Sequence, residues 1–303
     1  MANLLHLTPL DPRYPTRLRG VPFAPASLAV QGGSTEAACV VAIVGSRAAS
    51  ANAARFANKL AQRLVRAGAV VCSGGALGID GEAHRGAMAA GGRTWVVSPT
   101  GPAGCFPPEH VDLFAQVAKG PSAMLWPRPS PIATRPGFHT RNNVLVALSD
   151  AVVVVQAGKH SGALHAASCA KKQGKPLWVA QPAVWSKGFS GSRQLLESKT
   201  SGARALTSSH LFLRSLGLSA HPAGGSPADP DALPRGAFVA GLSPEELRVL
   251  KATTRVPQHL DAVAAHAGSS PQATTAALLT LALENVVVEG PPGFFRRGNA
   301  HNH

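Results

Sequence analysis

A glycine-rich loop at residues 73–80, with the sequence SGGALGID, combines residue types that can bind an anion. The loop leaves an apolar segment that predicts a strand and enters a segment that predicts a helix. Glycines let backbone amides approach a ligand closely, and the N-terminal end of a helix attracts negative charge. We therefore expect Ser73, Gly74 and Gly78 to contribute to a phosphate-type site. A tight turn that binds no ligand is the alternative interpretation.

Two further polar loops follow predicted strands. The first comes directly after the apolar segment 40–45, and the second follows the most apolar segment of the chain, 151–157. In open parallel sheets, the carboxyl ends of the strands form the edge at which ligands bind. The sequence therefore predicts that both loops lie at the same edge as the glycine-rich loop. The candidate binding residues in these two loops are Ser46, Arg47, Lys159, Ser161 and Gly162.

A third candidate segment, FHTRNN at 138–143, leads into a buried helix predicted from about Thr140 to Leu148. Arg141 can pair with a phosphate or a guanine through two hydrogen bonds, and Phe138 can stack on a base. Asn142 adds an amide beside them. The alternative is that Phe138 packs in the core and Arg141 forms a surface ion pair.

Several known chemical fingerprints are absent from the sequence. The first predicted strand is not followed by G-x-G-x-x-G, and no G-x-x-x-x-G-K-[ST] motif occurs, which argues against classical dinucleotide binding and ATP hydrolysis. Neither H-E-x-x-H nor C-x-x-C occurs, so no zinc site is expected. Asp80 and His84 are four residues apart, but no nucleophile lies at a defined spacing from them. We predict no catalytic residue, no metal and no cofactor.

Strand-like and helix-like segments alternate from Val40 to Ala180. This alternation predicts a doubly wound, mostly parallel Rossmann-like α/β sheet. The predicted strands are 40–45, 69–73, 93–98, 122–126, 151–157 and 177–180. The predicted helices are 51–67, 81–90, 109–118, 140–148 and 164–173.

The C-terminal part has a different organisation. Residues 217–241 are dense in glycine and proline, which is typical of a linker. Three predicted helices and a hairpin follow, and they indicate a small winged helix. Its third predicted helix, 272–285, contains no Lys or Arg, so we do not expect this module to provide the main phosphate contacts. The predicted division is an N-terminal extension 1–36, a Rossmann-like domain 37–216 that carries the candidate binding residues, the linker 217–241 and a winged-helix-like domain 242–298.

The charge of the chain is positive and unevenly distributed. Lys and Arg number 29 against 15 Asp and Glu, a net charge of +14. Residues 1–215 hold 23 basic and 8 acidic side chains, whereas residues 216–303 hold 6 and 7. A polyanion-binding face explains this asymmetry, because neutralising phosphates releases counterions. A basic surface that serves only solubility is the alternative.

Composition also narrows the class of protein. With 45% apolar and 15% charged residues, wholesale disorder is excluded. The longest apolar runs are too short to span a bilayer, and the first 13 residues lack a basic leader, so neither a membrane span nor a signal peptide is expected. The spacing of the four cysteines indicates no disulfide framework, which favours a reducing cytoplasm.

Taken together, the motifs resemble the DNA-processing protein A family, also called DprA or Smf. Any one of these motifs alone is weak evidence for the family, but all four occur along the chain in the order that the family has. The motifs that carry the resemblance are VAIVGSR (41–47), SGGALGID with AH (73–84), FHTRN (138–142) and SGALHAA (161–167). The C-terminal segment is similar to the winged helix of that family.

The resemblance implies a function and a set of contacts. Members of the family bind single-stranded DNA, form homodimers, protect incoming strands and load RecA recombinase during natural transformation, and they are not known as enzymes. By resemblance, DNA contact is assigned to Ser46, Arg47, Ser73, Gly74, Gly78, Arg141, Asn142, Lys159, Ser161 and Gly162. Phe138, identified above as a base-stacking candidate, completes the predicted DNA-binding site.

The sequence departs from the family pattern at several places, which leaves room for a diverged paralogue. The departures are Gly75, Leu77, Asn143, Gln156, His165 and Gln181. Two rival functions stay open. One is an enzyme related to nucleotide phosphoribohydrolases, although residues 158–162 offer Lys and His where that loop needs glycines. The other is a sensor that binds a small nucleotide.

Overall fold

The computed structural model describes residues 3–181, 187–206, 209–218, 242–283 and 286–298. These residues belong to two compact units. The larger unit contains 3–181, 187–206 and 216–218, and the smaller unit contains 209–215, 242–283 and 286–298. No helix in the described ranges is long and apolar enough to cross a membrane.

A nine-stranded sheet forms the centre of the larger unit, in the order β1-β2-β6-β5-β4-β3-β7-β8-β9. The pairs β1–β2 and β2–β6 are antiparallel, and the six other pairs are parallel. This confirms the predicted doubly wound, mostly parallel sheet. The strands are β1 (Leu5–Leu7), β2 (Leu28–Gly32), β3 (Val40–Val44), β4 (Val70–Ser73), β5 (Thr94–Val97), β6 (Ala123–Trp126), β7 (Ala151–Val154), β8 (Leu177–Ala180) and β9 (Ala203–Leu206).

The winding of the sheet reverses between β3 and β7. From β3 the chain adds β4, β5 and β6 on one side, then crosses back to place β7, β8 and β9 on the other. All five residues of β3 and all four of β7 are buried, as expected for central strands covered on both faces. Such a reversal opens a crevice at the carboxyl ends of the two strands, where ligands bind in doubly wound folds.

The N-terminal residues are part of this same sheet. Strands β1 and β2 precede the predicted domain start at residue 37, and Tyr14, Leu18 and Leu28 are fully buried in the core of the larger unit. The Tyr14 hydroxyl donates a hydrogen bond to the carbonyl of Pro25 at 2.9 Å. The boundaries at 36 and 216 stay predictions. Most of the predicted linker, 219–241, lies outside the described residues.

Six α-helices flank the sheet in the described part of the larger unit. They are α1 (Ala51–Arg66), α2 (Ile79–Ala89), α3 (Val111–Lys119), α4 (Arg135–Leu148), α5 (Ala163–Lys172) and α6 (Ser190–Glu197). Helix α4 differs from the sequence prediction, because it begins five residues before Thr140. The Thr134 side chain accepts a hydrogen bond from the backbone of Gly137, and a proline occupies the first turn, where its missing N–H is not needed. The FHTRNN segment therefore lies inside the helix.

The smaller unit confirms the predicted winged helix. Its elements are α7 (Ser209–Ser215), α8 (Pro244–Ala252), β10 (Gln258–His259), α9 (Leu260–Ala267), α10 (Pro271–Leu283), β11 (Val287–Glu289) and β12 (Phe294–Arg297). Ser243 and Glu246 form the expected capping box at the start of α8. The strands pair in the order β10-β12-β11. Residues 284 and 285, at the end of the predicted third helix, lie outside the described residues.

Candidate nucleic-acid interface

A cleft of about 530 Å³ lies where the winding of the sheet reverses. The loops after β3 and β7 form two of its sides, and the N-terminal parts of α4 and α5 complete it. This is the edge that the sequence predicted for an anionic ligand. The polar, charged and aromatic side chains that line the cleft are Ser46, Arg47, Asp80, Phe138, Arg141, Asn142, His160 and Ser161, and the predicted binding residue Gly162 lines it as well.

Seven of the eleven predicted binding residues line this cleft, and four do not. Lys159 is exposed beside two residues that line it. The Ser73 hydroxyl is buried and donates to the carbonyl of Ile43 at 2.6 Å. The structure thus gives Ser73 a bond inside the sheet, whereas DNA contact by Ser73, Gly74, Gly78 and Lys159 stays a prediction.

The two remaining predicted residues, Gly74 and Gly78, do not line the cleft but leave room for residues that do. A Cβ atom on Gly74 would lie 1.2 Å from Nη1 of Arg141, so only glycine leaves room for that guanidinium. Gly78 has a φ of +74°, and a Cβ there would lie 2.4 Å from the carbonyl oxygen of Ser46. Glycine at 78 therefore lets the start of α2 approach the loop that carries Ser46 and Arg47.

Arg141 forms a buried ion pair at the cleft. Its Nη1 lies 3.6 Å from Oδ2 of Asp80, and the two side chains are only 7% and 4% exposed. Backbone amides of Ala76, Gly45 and Gly74 also donate to Asp80. Burial raises the pKa of the Asp80 carboxyl, while the guanidinium and the amides oppose that rise. The alternative of a surface ion pair for Arg141 is therefore wrong, because its partner is Asp80 inside the protein.

Arg47, in contrast, is exposed and lies against aromatic rings. Its guanidinium carbon is 4.9 Å from the ring centre of Phe138 and 5.6 Å from that of Phe106. The two rings meet edge to face, with centres 5.5 Å apart. Phe138 is half-buried and lines the cleft rather than the core. Sequence reasoning missed Phe106, whose signal was an aromatic residue in a loop at the carboxyl end of β5.

The opposite side of the cleft ends at the first turn of α5. Gly162 is the N-cap residue, and a Cβ there would have no heavy atom within 4 Å, so the position opens onto free space. The Ser161 hydroxyl accepts a bond from the amide of Ala163 at 3.3 Å. A ten-residue helix therefore presents its N-terminal dipole end and a hydroxyl group to the cleft.

Asn142 is held by a histidine from α5. Its Nδ2 lies 3.2 Å from Nδ1 of His165, and the ring of His139 stacks on His165 at 4.2 Å. Because an amide nitrogen only donates, His165 accepts at Nδ1 and is unprotonated there. Burial lowers the pKa of His165, and His139, Lys172 and Arg141 lower it further. His165, a departure from the family pattern, thus orients a cleft residue.

The cleft therefore combines two kinds of contact. Hydroxyl groups, an amide, a helix N-terminus and two guanidinium groups suit a phosphate. The Phe138 ring in the cleft and the Phe106 ring adjoining it, both beside Arg47, suit a nucleobase. Among the described residues, no group of three or more His, Cys, Asp or Glu side chains could hold a metal ion.

Helix α10, which corresponds to the third predicted helix of the winged helix, contains no Lys or Arg, as the sequence showed. Arg297 of β12 donates to the carbonyl of Leu250 at 3.0 Å, at the end of α8. This guanidinium therefore contributes to packing within the unit.

The fold and the cleft together define a class of protein. It is a Rossmann-like α/β protein with a cleft suited to anions where the winding of the sheet reverses, followed along the chain by a winged helix. Comparison with protein families makes this specific. The family model for DNA recombination-mediator protein A matches residues 5–216, and the model for the DprA winged helix domain matches residues 226–293. The chain belongs to the DNA recombination-mediator protein A family, which confirms the resemblance found in the sequence.

Individual relatives agree with this assignment. The chain is 30% identical to protein Smf of Escherichia coli over 297 residues, covering 96% of this chain and 77% of that protein. It is 32% identical to protein Smf of a Synechocystis strain, covering 71% of this chain but only 54% of that protein. A solved structure of DNA processing protein A from Helicobacter pylori, described for its single-stranded DNA binding mode, is 27% identical with a TM-score of 0.62, and the match covers 71% of this chain and 98% of that one.

Proposed function

We propose that this protein binds single-stranded DNA in the cleft between β3 and β7 and acts as a recombination mediator, not as an enzyme. The observation that carries the proposal is Arg47, an exposed cation on two aromatic rings beside donors suited to a phosphate. A nucleotide of a single strand offers both a phosphate and an unpaired base, and this surface matches both.

The distribution of charge along the chain and a related protein of known structure support the same proposal. The positive charge lies in residues 1–215, which include the whole cleft. The Helicobacter pylori relative of known structure is described as binding single-stranded DNA. Protection of incoming strands, loading of RecA recombinase and homodimer formation rest on the family resemblance and stay predictions. A cytoplasmic location stays one as well; the four cysteines are free thiols.

A second candidate function is a sensor for a small nucleotide. The cleft volume of about 530 Å³ favours it, because pockets of this size enclose small molecules. The two functions differ in their dependence on salt. A strand spanning several phosphates releases several counterions on binding, whereas a mononucleotide releases few.

Titration of a labelled single strand by fluorescence anisotropy across a salt series tests the proposal. We expect single strands to bind more tightly than duplex at every salt concentration, with a steep salt dependence. Arg47→Ala should weaken binding about 10- to 150-fold, the range of a hydrogen bond to a charged group. It should also lower the salt slope by about 0.7, one counterion of a single strand.

Arg13→Ala is the matched control, because Arg13 is an exposed arginine outside the cleft lining that pairs with Asp11. This variant should leave affinity unchanged. Equal affinity for single strands and duplex would contradict the proposal, and so would an Arg47→Ala variant with unchanged affinity and slope. Tight, salt-insensitive binding of a mononucleotide would favour the sensor instead.

A further inference from the structure

Phe106 lies in the loop between β5 and α3, and nothing in the sequence pattern assigned it a role. Its ring is half-buried and packs edge to face on Phe138 with an interplanar angle of 76°. The two rings form a corner, and the guanidinium of Arg47 lies within 6 Å of both ring centres. Phe106 is therefore in direct contact with two residues of the cleft.

The loop that carries Phe106 is firmly attached to its neighbour, the segment between β6 and α4. The amide of Gly101 donates to the carbonyl of Ser130 at 2.5 Å, and a Cβ on Gly104 would lie 2.0 Å from the carbonyl oxygen of Pro131. The Thr100 hydroxyl closes the loop by donating to the carbonyl of Gly104 at 3.0 Å. The segment between β6 and α4 leads directly into α4, which carries Phe138. The packing of this segment against the Phe106 loop therefore positions both rings.

A planar cation backed by two rings is suited to stacking. The rings attract the guanidinium through their negative faces and hold it beside the cleft. Bases of single strands stack on aromatic rings and on guanidinium planes without regard to sequence. In a duplex the base faces are already stacked on one another, so they are not available to such a surface.

We propose that Phe106 is a specificity-determining residue which, with Arg47 and Phe138, forms a stacking platform for one unpaired base next to the phosphate contacts of the cleft. The proposal rests on the proposed binding of single-stranded DNA and adds the group that distinguishes a nucleotide from a bare polyanion. Because the two packed loops position Phe106 in the absence of DNA, the platform is already formed before DNA binds.

The test compares two probes of equal charge: an oligothymidylate of about 12 nucleotides and a fully abasic strand of the same length. Wild type should prefer the thymidylate. Phe106→Leu should weaken thymidylate binding about 5- to 150-fold, the range of one base stack, and leave abasic binding and the salt slope unchanged. Phe106→Tyr should retain the preference, because it keeps the ring.

Trp178→Leu provides a matched control, since Arg204 lies 5.7 Å from the Trp178 ring in a similar pair outside the cleft lining. This variant should keep the preference for thymidylate. If Phe106→Leu keeps it too, or weakens both probes equally while folded, the platform is refuted. Loss of the preference in Phe106→Tyr would also refute it. If Phe106→Leu does not fold, Phe106→Met, which is apolar but has no ring, takes its place with the same expected loss. Failure of wild type to bind the thymidylate at all would instead overturn the proposed function.

Discussion

The buried pair of Arg141 and Asp80 predicts a large and pH-dependent loss of stability when the arginine is removed. Arg141→Met keeps much of the side-chain volume but leaves the Asp80 carboxylate without its cation. At the observed separation of 3.6 Å, an effective dielectric constant of about 20 gives an attraction of about 5 kcal/mol. Removing one partner of a buried pair typically costs about 3–5 kcal/mol. We expect a loss in that range near neutral pH.

The pH dependence of this loss has a definite sign. Without the guanidinium, the pKa of Asp80, already raised by burial, rises further. A group whose pKa is higher in the folded than in the unfolded state adds stability at low pH and loses it as pH rises through the folded value. The difference in unfolding free energy between variant and wild type should therefore shrink from about pH 7 to about pH 5.

Urea unfolding followed by tryptophan fluorescence measures this difference, because Trp95 is fully buried in β5. Arg193→Met is the control, since Arg193 pairs with Glu197 on an exposed face of α6 and such pairs contribute little. A loss in Arg141→Met no larger than in Arg193→Met would refute the reasoning. A large loss that does not change with pH would refute the role assigned to the Asp80 carboxylate.

Two further predictions concern a buried histidine and the winged helix. The Thr94 hydroxyl donates to Val71, so Nδ1–H of His84 donates to Thr94, and burial lowers the pKa of His84 from 6.5 to about 3. As the pH falls, the unfolded chain binds a proton at this histidine before the folded protein does. The free energy of unfolding of wild type should therefore fall by about 2 kcal/mol more than that of His84→Asn between about pH 7 and pH 5, as measured by urea unfolding at each pH. The same pH dependence of unfolding free energy in both proteins would contradict this. In the winged helix, the triple variant Arg248→Ala/Lys251→Ala/Arg296→Ala should keep single-strand affinity within about twofold, because the proposal assigns the main phosphate contacts to the cleft. A loss of about a hundredfold in anisotropy titrations would contradict this.

The central sheet was predictable because its strands are short, β-branched and apolar on both faces. Strands β1 and β9, with exposed residues at His6 and Arg204, lack that signature, and only pairing at the edges of the sheet defines them. The start of α4 was missed because Pro136 and Gly137 read as breakers, although proline suits a first helical turn.

The location of the candidate site at one edge of the sheet could be predicted from the sequence, but the contacts between its side chains could not. Motifs at strand ends correctly placed Ser46, Arg47 and Ser161 at one edge. The pairing of Arg141 with Asp80 joins residues far apart in the chain, and no local pattern encodes it. Phe106 likewise meets Phe138 only because two loops pack together, so its place beside the cleft follows from tertiary structure alone.

Protection of Cys105 from alkylation is the most direct test of the proposed DNA-binding site. Cys105 is exposed and adjoins Phe106, whereas Cys39, Cys72 and Cys169 are buried. Partial burial raises the pKa of the Cys105 thiol, so the reaction with a maleimide is run at mildly alkaline pH and followed by intact mass. We predict that a saturating single strand slows alkylation of Cys105, while duplex DNA at the same concentration has little effect. A bound single strand that leaves the rate unchanged would contradict binding at this cleft.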